Sequence, residues 1–226
     1  MQTGADIQTL IATPQLLDTR FGQELFHGPS RTRAPCLVVT GEVFDSLASK
    51  ETAHGIGAVV RQRWEKLENI RPSGELCWVA LDGVQYPGNL GTILRTGDAV
   101  GGAGAILLGT TTDPYDPAAV RASTGAIFSQ RLARASFTDF CAWKRSHRCT
   151  VVGTSPDAAT DYQAVAYRPP VVLFMGCERY GLSGEEQALC DVTVKIPMVG
   201  RSDSLNLAVA TGIVLCEIFN QRRGVR

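Results

Sequence analysis

Beyond residue 75 the chain alternates short apolar runs with stretches whose apolar residues recur at helical spacing. The segments Leu76–Leu81, Ala105–Leu108, Thr150–Gly153, Val171–Met175 and Val192–Ile196 read as strands, being short, apolar and bounded by turn formers. Helices are expected from about Asn89 to Val100, near Pro117–Ser123, near Phe137–Ser146 and from about Gly184 to Leu189. A final amphipathic helix is expected from about Ser204 to Arg222. This alternation predicts an α/β fold on a parallel sheet. The near-continuous Val, Leu and Ile of its middle and last strands require helices on both faces.

The front of the chain is harder to read. Residues 35–47 read as a strand followed by a short helix and Ile56–Val60 as another strand, whereas residues 1–30 show no clear opening strand or helix. The segment Glu68–Glu75 has the turn formers and charge of a linker. The expected organisation is therefore an appendage over 1–68, a linker over 69–75 and a main domain over 76–226, which a chain of 226 residues can accommodate.

Composition narrows the function more by exclusion. Lys plus Arg equal Asp plus Glu at 22 each, so any nucleic-acid contact must use a local patch. No run approaches the apolar length of a membrane span, and the first residues lack a basic-then-apolar leader, so a cytoplasmic protein is the simplest expectation. The seven cysteines are odd in number and lack C-x-x-C spacing, which argues against a disulfide framework or a zinc site, and most are expected to be buried apolar residues. The three histidines, His27, His54 and His147, match no metal or triad pattern.

Dinucleotide and nucleoside-triphosphate readings lose their main support. Gly101-Gly102-Ala103-Gly104 lacks the third glycine and enters a strand, and no P-loop occurs. Polar residues and glycines instead gather after three strands, at Asp82–Arg95, Gly176–Ser183 and Pro197–Asn206. Asn89 follows Pro87-Gly88 and reads either as a helix cap or as a functional amide. Arg95 stands in a small, apolar stretch and needs an anionic partner, either Asp98 or a phosphate. Gly176 lets backbone approach a ligand, and Glu178 can order the loop or accept a hydrogen bond. Ser204 reads as a cap or as a site hydroxyl, with Asn206 in the first turn.

D-x-V-Q-x-P-x-N-x-G with Arg95, G-x-E-x-x-G-L-S, and I-P-M with S-L-N occur here in that order. Together they resemble the three signature motifs of the SpoU/TrmH family of S-adenosyl-L-methionine-dependent RNA ribose 2′-O-methyltransferases, over roughly residues 76–226. Val120–Ala126 resembles a further family stretch bordering the active site. The resemblance implies a deep C-terminal trefoil knot of the SPOUT type and a homodimer packed through it. It implies a cofactor held at Gly176, Ile196 and Leu205 with Thr154 and Met198 close by, and no metal. Arg95 would be the catalytic arginine, as an unusual base or as a clamp on substrate phosphate. Asn89, Glu178, Ser204 and Asn206 would surround the ribose, and Arg121 and Ser123 would lie beside the RNA.

Residues 33–66 resemble the latter part of a small ribosomal-protein-like RNA-binding domain, so a reduced α/β appendage is expected. Arg31, Arg33, Arg61, Arg63 and Lys66 are its candidate phosphate contacts. The expected substrate is ribosomal RNA before transfer RNA. The competing readings are a catalytically silent RNA-binding paralogue and a knotted enzyme acting on a small molecule.

Overall fold

Successive strand residues point to opposite faces of a sheet, so an apolar strand covered on both sides must feed two cores. That is the arrangement in the computed structural model, which describes residues 4–27, 34–48 and 54–224. The chain divides into two compact units between Gln62 and Arg63.

In the first unit, β1 (Ile7–Ala12), α1 (Arg20–His27), β2 (Cys36–Val38), α2 (Gly41–Leu47) and β3 (Ile56–Val60) follow in order. The sheet order is β2-β1-β3, with β1 parallel to β2 and antiparallel to β3. An opening strand and helix therefore exist where the sequence shows neither. Only Leu10 and Ala12 of β1 are buried, so its pairing on both edges, more than its own pattern, makes it a strand.

The second unit contains β4 (Glu65–Lys66), β5 (Trp78–Asp82), α3 (Pro87–Ala99), β6 (Gly104–Leu108), α4 (Pro117–Ser123), β7 (Arg131–Ala135) and α5 (Phe137–Ser146). It continues with β8 (Thr150–Thr154), β9 (Thr160–Asp161), β10 (Val171–Met175), α6 (Gly184–Leu189), β11 (Val192–Lys195) and α7 (Leu207–Arg222). Eight strands run in the order β4-β7-β6-β5-β10-β8-β11-β9, and every pairing is parallel. Val79, Leu81, Leu107 and Leu173 meet Leu90, Leu94, Leu215 and Ile218 of α3 and α7 on one face. Trp78, Ala80, Ile106 and Phe174 meet Phe140 and Trp143 of α5 on the other.

Two sequence expectations change here. The segment read as a linker is anchored at one residue: Ile70 is buried and its carbonyl accepts from the Trp143 indole at 3.1 Å, while Asn69, Arg71, Ser73 and Gly74 are exposed. Strand β7 escaped notice because its sequence, RLARA, carries two arginines. Arg131 grips the Glu65 carboxylate at 2.8 and 2.7 Å and lies over the Trp78 ring, while Arg134 covers Trp64, so both charges stay solvated or paired.

The cysteines also differ from expectation. All seven are free thiols, yet only Cys77 is buried and Cys216 is exposed. Burial still pushes the Cys77 thiol up to about 12, so it is inert at neutral pH.

The strand order decides where chemistry can collect. Because β5 and β10 are neighbours although far apart in sequence, the loops leaving their carboxyl ends lie side by side, the usual location for an α/β site.

Candidate active site

The loop after β10 begins with Gly176, where a Cβ would stand 2.1 Å from the Gly181 carbonyl carbon and 2.4 Å from the Leu182 nitrogen. The sequence reading gave this glycine to ligand approach. The structure shows that it admits the chain's own backbone. The resulting tight loop is closed by the Gly181 amide donating to the Cys177 carbonyl at 3.0 Å, and Gly181 takes a φ of +65°. Ser183 and Glu186 then form a capping box that starts α6.

This loop holds Glu178 against the first junction. Its carboxylate accepts from the Gln85 amide at 3.1 Å, the Tyr86 amide at 3.4 Å and Asn89 Nδ2 at 3.2 Å. Asn89 Oδ1 in turn accepts from Asn206 Nδ2 at 3.0 Å. Asn206 Oδ1 accepts from the Ala208 and Val209 amides at 2.9 and 3.3 Å, capping α7. Each amide orientation is forced by the next: the cap uses the Asn206 oxygen, so its nitrogen must donate, and Asn89 must then donate to the carboxylate. One hydrogen-bond chain therefore ties all three junctions together.

Cap assignments differ from those expected. Helix α3 starts at Pro87, so Asn89 lies inside its first turn. Asn206 caps α7, whereas Ser204 is exposed upstream with its hydroxyl 3.4 Å from Asp203 Oδ1.

A cavity of about 330 Å³ opens between the loops after β8, β10 and β11. Thr154, Gly176, Ile196, Met198 and Leu205 all line it, together with Glu178 and Ser204. A second recess of about 760 Å³ is walled by Tyr86, Asn89, Thr92 and Asn206 and shares Glu178, Ser204, Leu205 and Leu207 with the first. The two form a continuous cleft. The first, inner cavity sets the apolar walls of Met175, Val194, Ile196 and Leu207 beside Thr154, Glu178, Arg179 and Asp203, and the second, outer recess carries the Asn89 and Asn206 amides.

The profile of the SpoU rRNA Methylase family matches residues 77–216. The chain belongs to this family. A relative from Streptomyces viridochromogenes, named 23S rRNA (uridine(2479)-2′-O)-methyltransferase, is 32% identical across 98% of this chain and 79% of its own. Another from Bacillus subtilis, named 23S rRNA (guanosine(2553)-2′-O)-methyltransferase RlmP, is 28% identical across 81% of this chain and 72% of its own. Among solved structures, the AdoMet-bound rRNA methyltransferase of Sinorhizobium meliloti superposes with a TM-score of 0.86 at 38% identity, covering 100% of this chain and 83% of that one. The Streptomyces viridochromogenes SpoU methyltransferase AviRb in complex with AdoMet gives 0.87 at 32%, covering 100% and 86%.

Other residues singled out in this SpoU chain fall differently. Arg95 is exposed on α3, lines neither cavity and makes no hydrogen bond or ion pair to any described residue. Asp98 is not its partner, because Asp98 accepts from the Ser129 hydroxyl at 2.6 Å. Arg95 does share a stripe of α3 with Gly88 and Thr92, which wall the outer recess, and helical side chains lean toward the amino end, here toward the cleft. Ser123 is 0% exposed and donates to the Val120 carbonyl at 2.7 Å, so it cannot touch RNA. It is sealed by close helix contact, since a Cβ on Gly91 would stand 2.9 Å from its nitrogen. Arg121 is exposed on α4. In the first unit Arg61 is paired with Asp6 at 3.1 Å. Arg63 and Lys66 are exposed, and Arg31 and Arg33 lie outside the described residues.

Sequence reasoning missed the supports beneath the site. Gln85 donates through its side chain to the carbonyls of Gly83 and Thr110, both at 2.9 Å, which fixes the loop that presents Tyr86 and Asn89. Asp82, at the end of β5, faces Glu186, which is only 7% exposed. Burial, then the Glu186 charge and hydrogen bond, push the Asp82 carboxyl up to about 6. Glu186 also accepts from the Ser183 amide at 2.6 Å, and the raised Asp82 carboxyl is the group that holds a proton against it.

The folded-state value lies above the ordinary 3.8, so this stabilisation is complete below about pH 3.8 and is lost as pH rises through about 6. Asp82→Asn keeps the donor and removes the titration. Its melting temperature at pH 8 should exceed that of the unaltered protein, with a smaller decline between pH 5 and 8. Parallel melting curves for the two across that range would show that the pair does not titrate there.

Proposed function

We infer that this protein transfers a methyl group from S-adenosylmethionine to the 2′-hydroxyl of a ribose in ribosomal RNA. The observation that carries this reading is the single cleft that gathers all three polar strand ends, stitched by the Glu178–Asn89–Asn206 chain. Family membership and the names of the relatives point to the same activity.

The inner cavity suits the cofactor on its own chemistry. At about 330 Å³ it falls within the usual range for small-molecule sites. Met175, Val194, Ile196 and Leu207 offer apolar walls to a purine, backbone at Gly176 and Gly181 offers an edge, and Glu178 and Asp203 offer negative charge to a cationic ligand. S-adenosylmethionine supplies an already activated methyl, so the protein's work lies in alignment and in easing loss of one hydroxyl proton.

Asn89, Ser204 and Asn206 would orient the ribose in the outer recess. Arginine is too basic to remove a proton at neutral pH, so Arg95 acts as a clamp on the substrate phosphate that positions the hydroxyl. Its exposure and lack of a protein partner support that role.

The reading includes a homodimer formed through α7. Val209 on that helix is 51% exposed and Cys216 is also exposed, while Leu207, Val214, Leu215 and Ile218 fill the core, so the helix is apolar beyond the face its own domain covers. A deep trefoil knot around the cofactor loops and an RNA-binding role for the first unit belong to the same reading, supported by the motif resemblance. An enzyme of ribosomal RNA works where ribosomes are made, which supports the cytoplasmic assignment.

The test is transfer of labelled methyl from S-adenosylmethionine to total unmodified RNA, followed by nucleoside analysis. A 2′-O-methylated nucleoside in the large ribosomal RNA is the expected product. Label only in a base, only in small molecules, or nowhere would overturn the reading.

A further inference from the structure

The reaction needs the target nucleotide to enter the outer recess sugar first, which leaves its base at the rim. One side chain there has no role in the fold. Tyr86 is 64% exposed, and its ring and hydroxyl make no ring contact or hydrogen bond with any described residue. It walls the same recess as Asn89, Thr92, Ser204 and Asn206.

Its backbone, by contrast, is held on both sides. The Tyr86 amide donates to Glu178 at 3.4 Å, and its carbonyl accepts from the Asn89 and Leu90 amides at 3.0 and 3.2 Å. The ring therefore swings only about its own side-chain bonds, from a base fixed to the same carboxylate that holds Asn89. Tyr86 also occupies the position preceding α3, where a Ser, Thr, Asp or Asn would cap the helix, and it makes no side-chain cap. An exposed ring stands where the helix alone would favour a short polar side chain.

We propose that Tyr86 is a stacking platform for the base of the nucleotide being methylated, making it a positioning residue for the RNA substrate. This rests on the ribose-methylation reading above. In the target nucleotide the base is joined to the carbon next to the one bearing the reacting hydroxyl, so a sugar beside Asn89 and Asn206 brings its base within reach of the rim. Stacking on an aromatic face holds an unpaired, splayed-out nucleotide and tolerates any base. Tyr86 thus sets RNA affinity and favours a loop or single-stranded target, while leaving base identity to other contacts.

The experiment measures initial methyl-transfer rates against the concentration of an unmodified 23S rRNA transcript for Tyr86→Phe, Tyr86→Trp, Tyr86→Leu and Tyr86→Ala, with S-adenosylmethionine affinity and oligomeric mass measured alongside. The aromatic variants should keep the KM for RNA within about twofold of the unaltered enzyme. The Ala and Leu variants should raise it by about fivefold to about 150-fold, the range for loss of one base–aromatic stack. Cofactor affinity and mass should not change. Leucine preserves apolar bulk without a π-face, so a Leu variant matching tyrosine would overturn the proposal. So would an Ala variant with unchanged KM, or one whose defect follows lost cofactor affinity or altered mass. Absence of transfer by the unaltered enzyme would overturn the methylation reading itself, and this inference with it.

Discussion

Arg95→Ala is expected to lower methyl transfer about a hundredfold to a thousandfold, the usual loss when a group that stabilises or positions charge in a reaction is removed. Its stability should change by no more than about 0.5 kcal/mol, because the residue is exposed and makes no described hydrogen bond or ion pair. Affinity for S-adenosylhomocysteine should be unaffected, since Arg95 does not line the inner cavity. Arg95→Lys should recover only part of the rate, because an ammonium is a point charge without the planar fork that grips a phosphate. Single-turnover transfer, calorimetry and thermal melting separate these effects. A full-rate Arg95→Ala enzyme would remove this residue from the reaction.

Gly176→Ala should act by the opposite route, weakening cofactor binding through geometry. The new methyl would meet the Gly181 carbon, the Gly181 oxygen and the Leu182 nitrogen at 2.1, 2.2 and 2.4 Å. These are backbone atoms and cannot rotate away, so the loop must shift. Its shift would open the Cys177–Gly181 closure and pull Glu178 off Gln85, Tyr86 and Asn89. Overpacking of this kind costs about 1–3 kcal/mol, or about 2–4 °C in melting temperature for each kcal/mol in a chain of this size. Cofactor affinity should fall at least about a hundredfold, because the displaced loop, Gly176 to Gly181, forms one whole wall of the cavity. Gly184→Ala is the control, since its added Cβ meets nothing within 4 Å. Equal cofactor affinity in the two variants would show that the loop has slack its packing does not suggest.

The two predictions rest on information of different kinds. The need for Gly176 is tertiary: nothing in Phe174-Met175-Gly176-Cys177 says that Gly181 folds back upon it. Arg95 is legible in the chain, as a charge in a small and apolar stretch, but its two candidate partners could be separated only by seeing Asp98 engaged with Ser129.

Hydrophobic periodicity is local, so the chain alone determined what local chemistry determines. The apolar strands β5, β6, β8, β10 and β11, the helices between them and the three polar strand ends all follow from side chains within a few residues of one another. It failed where an element owes its form to distant neighbours. Strand β7 exists because Glu65, Trp64 and Trp78 accommodate its arginines, and β1 because it is paired on both edges. Only the tertiary structure decided that Asn206 and not Ser204 caps α7, that Asn89 joins it to Glu178, and that Tyr86 stands bare at the rim. Those facts depend on strand order, which sets β10 against β5 across more than eighty residues of intervening chain, and no pattern within a single element encodes that adjacency.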